Sequence, residues 1–150
     1  MTDKTSGPEQ PDAALTALDR LVGRWRLSGE ASGTVTYRWL PGGRFLIQDG
    51  ELELFGHRNT FTEIIGREKP FGGEPSTDIK SRTYTSEGDT LDYVYDLDGD
   101  TLTIWGGHRG SESYYRGTLS ADGNGRCDRT RAPAPGRQPR ASRHGFAIAC

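Results

Sequence analysis

Glu63 lies in a run of strand-forming residues, Thr60-Phe61-Thr62-Glu63-Ile64-Ile65. A carboxylate carried into an apolar interior keeps its proton to higher pH than one in water, which suits a general acid or base working near neutrality. The plainer alternative is a glutamate facing water on a half-exposed strand. A second set is aromatic: Tyr37, Trp39, Tyr84, Tyr93, Tyr95, Trp105 and Tyr115 sit in short runs that alternate with polar residues. Lining a cavity, their rings would supply an apolar wall and their hydroxyls would orient a ligand. The alternative is a filled core, because a barrel of about eight strands either plugs itself with side chains or holds one small ligand.

The remaining reactive residue types fall short of a constellation. His57 and His108 occur in Gly-rich stretches, Phe55-Gly56-His57-Arg58 and Gly106-Gly107-His108-Arg109, and lack a third metal-binding partner. Asp92 with Asp96 is expected on an outer face, and Asp98 with Asp100 in a hairpin turn. Asp96-Leu97-Asp98-Gly99-Asp100 lacks the distal Glu and the 12-residue frame of a calcium loop. Ser32, Ser111 and Ser113 have no Gly-x-Ser-x-Gly elbow, and no Gly-rich loop leads into a helix to bind phosphate. Cys127 and Cys150 lie outside the patterned region and suggest neither a disulfide framework nor a zinc site. No cofactor is expected from these residues.

These side chains need a scaffold, and composition narrows what it can be. With 150 residues the chain suits one domain. Its 21 Gly and its low apolar content of 32% favour short strands and turns over long helices. No stretch approaches the ~20 apolar residues that span a bilayer, and the polar start from Met1 to Pro11 lacks a signal-type apolar segment, so a cytoplasmic protein with no membrane partner is expected. The net charge of -2 hides an asymmetry: residues 125–150 carry six Arg against the single acid Asp128. The rest of the chain is strongly acidic, which argues against nucleic acid as partner.

Periodicity then places the elements. Asp12 can cap a short helix whose Leu15, Leu18, Leu21 and Val22 form an apolar face, ending at Gly23. From there the period changes from helical to two. Strands are predicted over 24–30, 34–40, 44–54, 60–67, 79–86, 90–97, 101–106 and 113–120. Ala31-Ser32-Gly33, Pro41-Gly42-Gly43 and Asp98-Gly99 provide turns. Alternation puts Leu91, Tyr93, Tyr95 and Leu97 on one face and Asp92, Val94 and Asp96 on the other. A meander of this kind should curl and close, removing exposed edges.

Leu21-Val22-Gly23-Arg24-Trp25-Arg26 and Trp39-Leu40-Pro41-Gly42-Gly43-Arg44-Phe45-Leu46 carry a resemblance. Glu63-Ile64-Ile65-Gly66, Asp98-Gly99-Asp100-Thr101-Leu102 and Tyr115-Arg116-Gly117-Thr118 add to it. The chain resembles bacterial lipocalin-like proteins of unknown function, within the wider calycin superfamily, over about residues 13–124. The resemblance implies that Trp25 closes one barrel end. It also brings in haem, which some related barrels hold through one His; here the candidate would be His108, against the commoner exposed loop histidine. Relatives of this type end with a further Gly-x-Trp strand that has no counterpart after Asn124. Residues 130–143 instead mix Arg, Pro, Ala and Gly without periodicity, a composition that an Arg-rich, GC-rich gene also yields when read out of frame.

The expectation is therefore an all-β, up-and-down antiparallel lipocalin-like β-barrel with a short N-terminal helix. Residues 1–11 would be disordered, 12–124 would form the barrel, and 125–150 a disordered or atypical tail. The favoured function is non-enzymatic binding of a small apolar or amphipathic molecule. The alternatives are an isomerase or cyclase using Glu63 or a Tyr, and a haem-binding barrel. An unclosed edge would favour a homodimer.

Overall fold

The computed structural model describes residues 12–27, 31–54, 56–119 and 127–130. Asp12 accepts a hydrogen bond from Leu15 N at 3.2 Å and opens α1, Ala13–Thr16. The chain then tightens into a 3-10 turn over Ala17–Leu21. Three residues per turn align positions three apart, so Leu15, Leu18 and Leu21 share one buried face. Val22, expected to extend that face, is 43% exposed. Its backbone has already become extended, with ψ of 131°, and its side chain leaves the helical stripe.

Among the described residues nine strands follow: β1 Gly23–Leu27, β2 Ala31–Trp39, β3 Phe45–Leu54, β4 His57–Gly66, β5 Ile79–Thr85, β6 Thr90–Asp98, β7 Thr101–Gly106, β8 Tyr114–Leu119 and β9 Cys127–Thr130. Each pairs antiparallel with its neighbour in chain order, giving one sheet that runs from β1 to β9. This is an all-β, up-and-down lipocalin-like fold with a short N-terminal helix, curled into a half-barrel. β1 and β9 are the two ends of the sheet order. β9 falls in the stretch read as an irregular tail. It pairs along β8 from Leu119↔Cys127 to Arg116↔Thr130, satisfying backbone groups that β8 would otherwise leave unpaired. Residues 1–11 and 131–150 lie outside the described residues.

Three connections differ from expectation. Ala31-Ser32-Gly33 belongs to β2 rather than to a turn. Gly33 has a φ of 152° and stands between Leu27 and Leu52, so close to Glu51 of β3 that a Cβ would strike that residue's carbonyl oxygen. It is a glycine of close strand approach, not of reversal. β4 likewise begins at His57, whose partner is Leu54, which moves that histidine from a loop onto a strand end. The Pro41-Gly42-Gly43 reversal stands where the turn chemistry puts it, whereas the Asp98-Gly99 reversal falls one residue later than expected: Asp98 ends β6 opposite Thr101, so Gly99 and Asp100 make the turn.

The helical segment caps one end of the curl. Leu18 and Leu21 pack with Val35, Leu46, Ile65, Ile79 and Leu102. Polar contacts hold it there: Trp39 Nε1 donates to Asp19 Oδ1 at 2.8 Å, Trp25 Nε1 to Leu21 O at 2.8 Å, and Arg20 Nη1 to Asp100 Oδ1 at 2.9 Å. Arg67, just past β4, donates through Nε and Nη2 to the two Asp12 oxygens at 2.6 and 3.0 Å. That pair, with its hydrogen bond from Arg67, holds the Asp12 carboxyl below its ordinary range. Asp12→Ala removes cap and ion pair together and is expected to cost about 1 to 2 kcal/mol, while Asp12→Asn keeps the cap and loses less. Urea denaturation of the two variants at pH 7 separates these contributions. Equal losses would show that the cap contributes nothing. Among the described residues no helix is long and apolar enough to cross a membrane.

Candidate functional site

Register decides which side chains meet inside the curl. One cross-strand row runs Tyr37↔Gln48 between β2 and β3, Gln48↔Glu63 between β3 and β4, and Glu63↔Thr83 between β4 and β5. Side chains of one row share a face, and these four are all buried, with Gln48 fully enclosed and Glu63 3% exposed. Adjacent rows on the same face contribute Val35, Leu46, Ile65, Ser81, Tyr93, Tyr95, Ile104 and Tyr115. The result is a polar patch in an apolar interior.

Glu63 is the centre of that patch. Its Oε1 accepts from Gln48 Nε2 at 2.5 Å and from the Tyr95 hydroxyl at 2.9 Å, and its Oε2 accepts from the Ser81 hydroxyl at 2.6 Å. Burial pushes the carboxyl up to about 7, with the hydrogen bonds from Ser81, Tyr95 and Gln48 opposing the shift. Desolvation of the charged form therefore outweighs three donors. The neighbouring phenols move in the same direction. Tyr37, Tyr93 and Tyr95 are raised by burial first and then by the charge of Glu63, so all three are neutral at any ordinary pH.

Among the described residues two buried side-chain polar atoms have no hydrogen-bond partner: Tyr37 Oη and Gln48 Oε1. Tyr37 lies near enough to Tyr95 for the phenols to influence one another, but its hydroxyl makes no hydrogen bond of ordinary geometry. Most buried polar groups in proteins are satisfied, so two unsatisfied atoms in the same row as a buried carboxylate stand out.

The aromatic set divides. Tyr37, Tyr95 and Tyr115 are buried in the interior, and Trp39 and Tyr93 pack against it partly buried. Tyr84 and Trp105 belong to the opposite face. Tyr84 pairs with Thr62 and Thr90, is 48% exposed, and borders a shallow, open depression of about 400 Å³ between β3, β4 and β5. Trp105 is opposite Val94 and Tyr114, and the Arg109 guanidinium stacks on its ring at 4.9 Å. With its neighbours it covers Val94, which is 1% exposed although it points away from the interior. Neither Tyr84 nor Trp105 is therefore an interior wall residue. His108 is exposed in the β7–β8 turn, and its place there gives no support to haem ligation. Among the described residues no three His, Cys, Asp or Glu side chains gather as a metal site requires.

Gln48 and Ser81 were not evident from residue chemistry alone. Gln48 had a positional signal, since it falls between Leu46 and Gly50 on the inward face of β3, whereas Ser81 shares the inward face of β5 with Thr83 and carried none. Comparison with known proteins found no matching family model and no matching curated protein.

Proposed function

We propose that the half-barrel binds a small amphipathic molecule, with the apolar part among the interior aromatics and the polar end against the Tyr37, Gln48 and Glu63 row. The orphaned Tyr37 Oη and Gln48 Oε1 carry this conclusion, because an interior used only for packing has no need of them. Access is compatible with it. β1 and β9 end the sheet order, and a molecule entering between them breaks no strand ladder.

Native mass spectrometry of freshly purified protein, with a neutral dye, N-phenyl-1-naphthylamine, as a second probe, tests the proposal. Saturable dye fluorescence, or added mass that vanishes on denaturation, is the expected result. A protein without added mass that gives no saturable dye signal would remove the proposal.

A second function is favoured by one observation. A buried carboxylate titrating at about 7, with a phenol donating to it, is suited to moving a proton in an isomerase or cyclase. Such an activity would follow the titration of Glu63 and be lost in Glu63→Gln.

A further inference from the structure

We propose that the ligand's polar end is a single uncharged hydroxyl, seated between Tyr37 Oη and the Gln48 side-chain amide, and that Glu63 excludes acids of the same chain length. This rests on the half-barrel being a binder and adds the chemical class of what it binds.

Three features select a hydroxyl. The orphaned Gln48 Oε1 needs a donor, which a carboxylate, an ether or a ketone does not provide. Tyr37 Oη can donate or accept, and Tyr37 is the cross-strand partner of Gln48 in the same buried row. The Gln48 amide also has two useful settings. With Glu63 ionised, Gln48 Nε2 donates to it and Oε1 is left for the ligand. With Glu63 protonated, the amide turned over presents Oε1 to the new carboxyl hydroxyl and leaves Nε2 for the ligand. A hydroxyl both donates and accepts, so it fits either setting.

Charge exclusion follows from the neighbours of Glu63. The titratable groups facing it are Tyr37 from β2 and Tyr93 and Tyr95 from β6, with Tyr115 of β8 beside Tyr37. All are phenols, and no cation among them offsets a second negative charge. An anionic head would be buried against an ionised Glu63 with no compensation.

The test is displacement of N-phenyl-1-naphthylamine from the full chain by 1-decanol and by decanoate. At pH 8.5, where Glu63 is ionised, decanol is expected to displace at a concentration about tenfold below that of decanoate. At pH 5.5 the margin should narrow, because Glu63 is then neutral. In the double variant Tyr37→Phe with Gln48→Leu, the decanol preference should fall to about threefold or less while the dye still binds. Tyr37→Phe alone, which keeps the ring volume, serves if the double variant does not fold by circular dichroism.

Decanoate equal to decanol at pH 8.5 would overturn the hydroxyl assignment and leave the binder standing. So would a preference unchanged in the variants. A site that holds only a buried water between the two orphaned atoms would likewise give decanol no advantage. No saturable dye signal together with no added mass in the native spectrum would remove the binder itself, and this inference with it.

Discussion

Raising the pH from 4.5 to 8 is expected to cost the folded protein about 3 kcal/mol at Glu63, and Glu63→Gln is expected to abolish that loss. The carboxyl titrates near its ordinary value of 4.5 when unfolded and at about 7 when folded. Between those values the folded state binds the proton and the unfolded state has released it. Stability therefore falls as pH rises through this window and is level above it. Asp12 acts in the opposite sense and lower down. Its pKa is lowered by Arg67, so its contribution is present above about pH 4 and is lost as the pH falls further. The two together place the stability maximum on the acid side of neutrality.

The amide introduced by Glu63→Gln would remain hydrogen-bonded, because its new donor has the unpartnered Gln48 Oε1 within the same row. At pH 8 the variant should thus be the more stable protein by about 3 kcal/mol, and at pH 4.5 the two should nearly coincide. Urea titrations of both proteins across pH 4 to 8 measure this directly. Parallel pH curves would mean that Glu63 is solvated in the folded state, and the buried polar patch would lose its centre.

Leu21→Ala is expected to destabilise by about 3 kcal/mol and to lower Tm by about 10 °C, whereas Val22→Ala should change stability by less than about 0.5 kcal/mol. Leu21 is fully buried where the 3-10 turn closes the end of the curl, and its removal leaves a void between Leu18 and the strand residues. Val22, one residue on, is 43% exposed. Adjacent residues of similar size and polarity thus differ several-fold in effect. Thermal melts of the two single variants decide it. Similar losses in both would return Val22 to the apolar face and contradict the 3-10 geometry.

Much of this fold is local in origin. Eight strands were legible because alternation with period two and Gly- or Pro-containing reversals are properties of short segments. The Asp12 cap and the Leu15, Leu18, Leu21 spacing likewise act within one or two turns of chain. The misplacement at Gly33 has a non-local cause: its need for glycine comes from the backbone of β3, which no inspection of β2 alone could supply. β9 was not legible for a related reason. Its four residues lack an apolar alternation, and what makes them a strand is the edge of β8.

The candidate site was half legible. Glu63 and Tyr37, Trp39, Tyr93, Tyr95 and Tyr115 could be marked from residue type and alternation. Tyr84 and Trp105 could not be separated from them, because a strand with large side chains on both faces does not declare which face will be covered. The same ambiguity held at Ile64 and Ile65, of which the structure buries the second and exposes 40% of the first.

The sequence by itself determined that a helical cap precedes eight strands and where most of the reversals between them lie, since those follow from backbone preferences and side-chain period over a few residues. Only the tertiary structure decided what Glu63 is. Its proton affinity depends on being enclosed beside Gln48, Ser81 and Tyr95, which come from β3, β5 and β6 and meet it only when the strands pair in register. Desolvation and hydrogen bonding act over a few ångströms of space, whatever the distance along the chain.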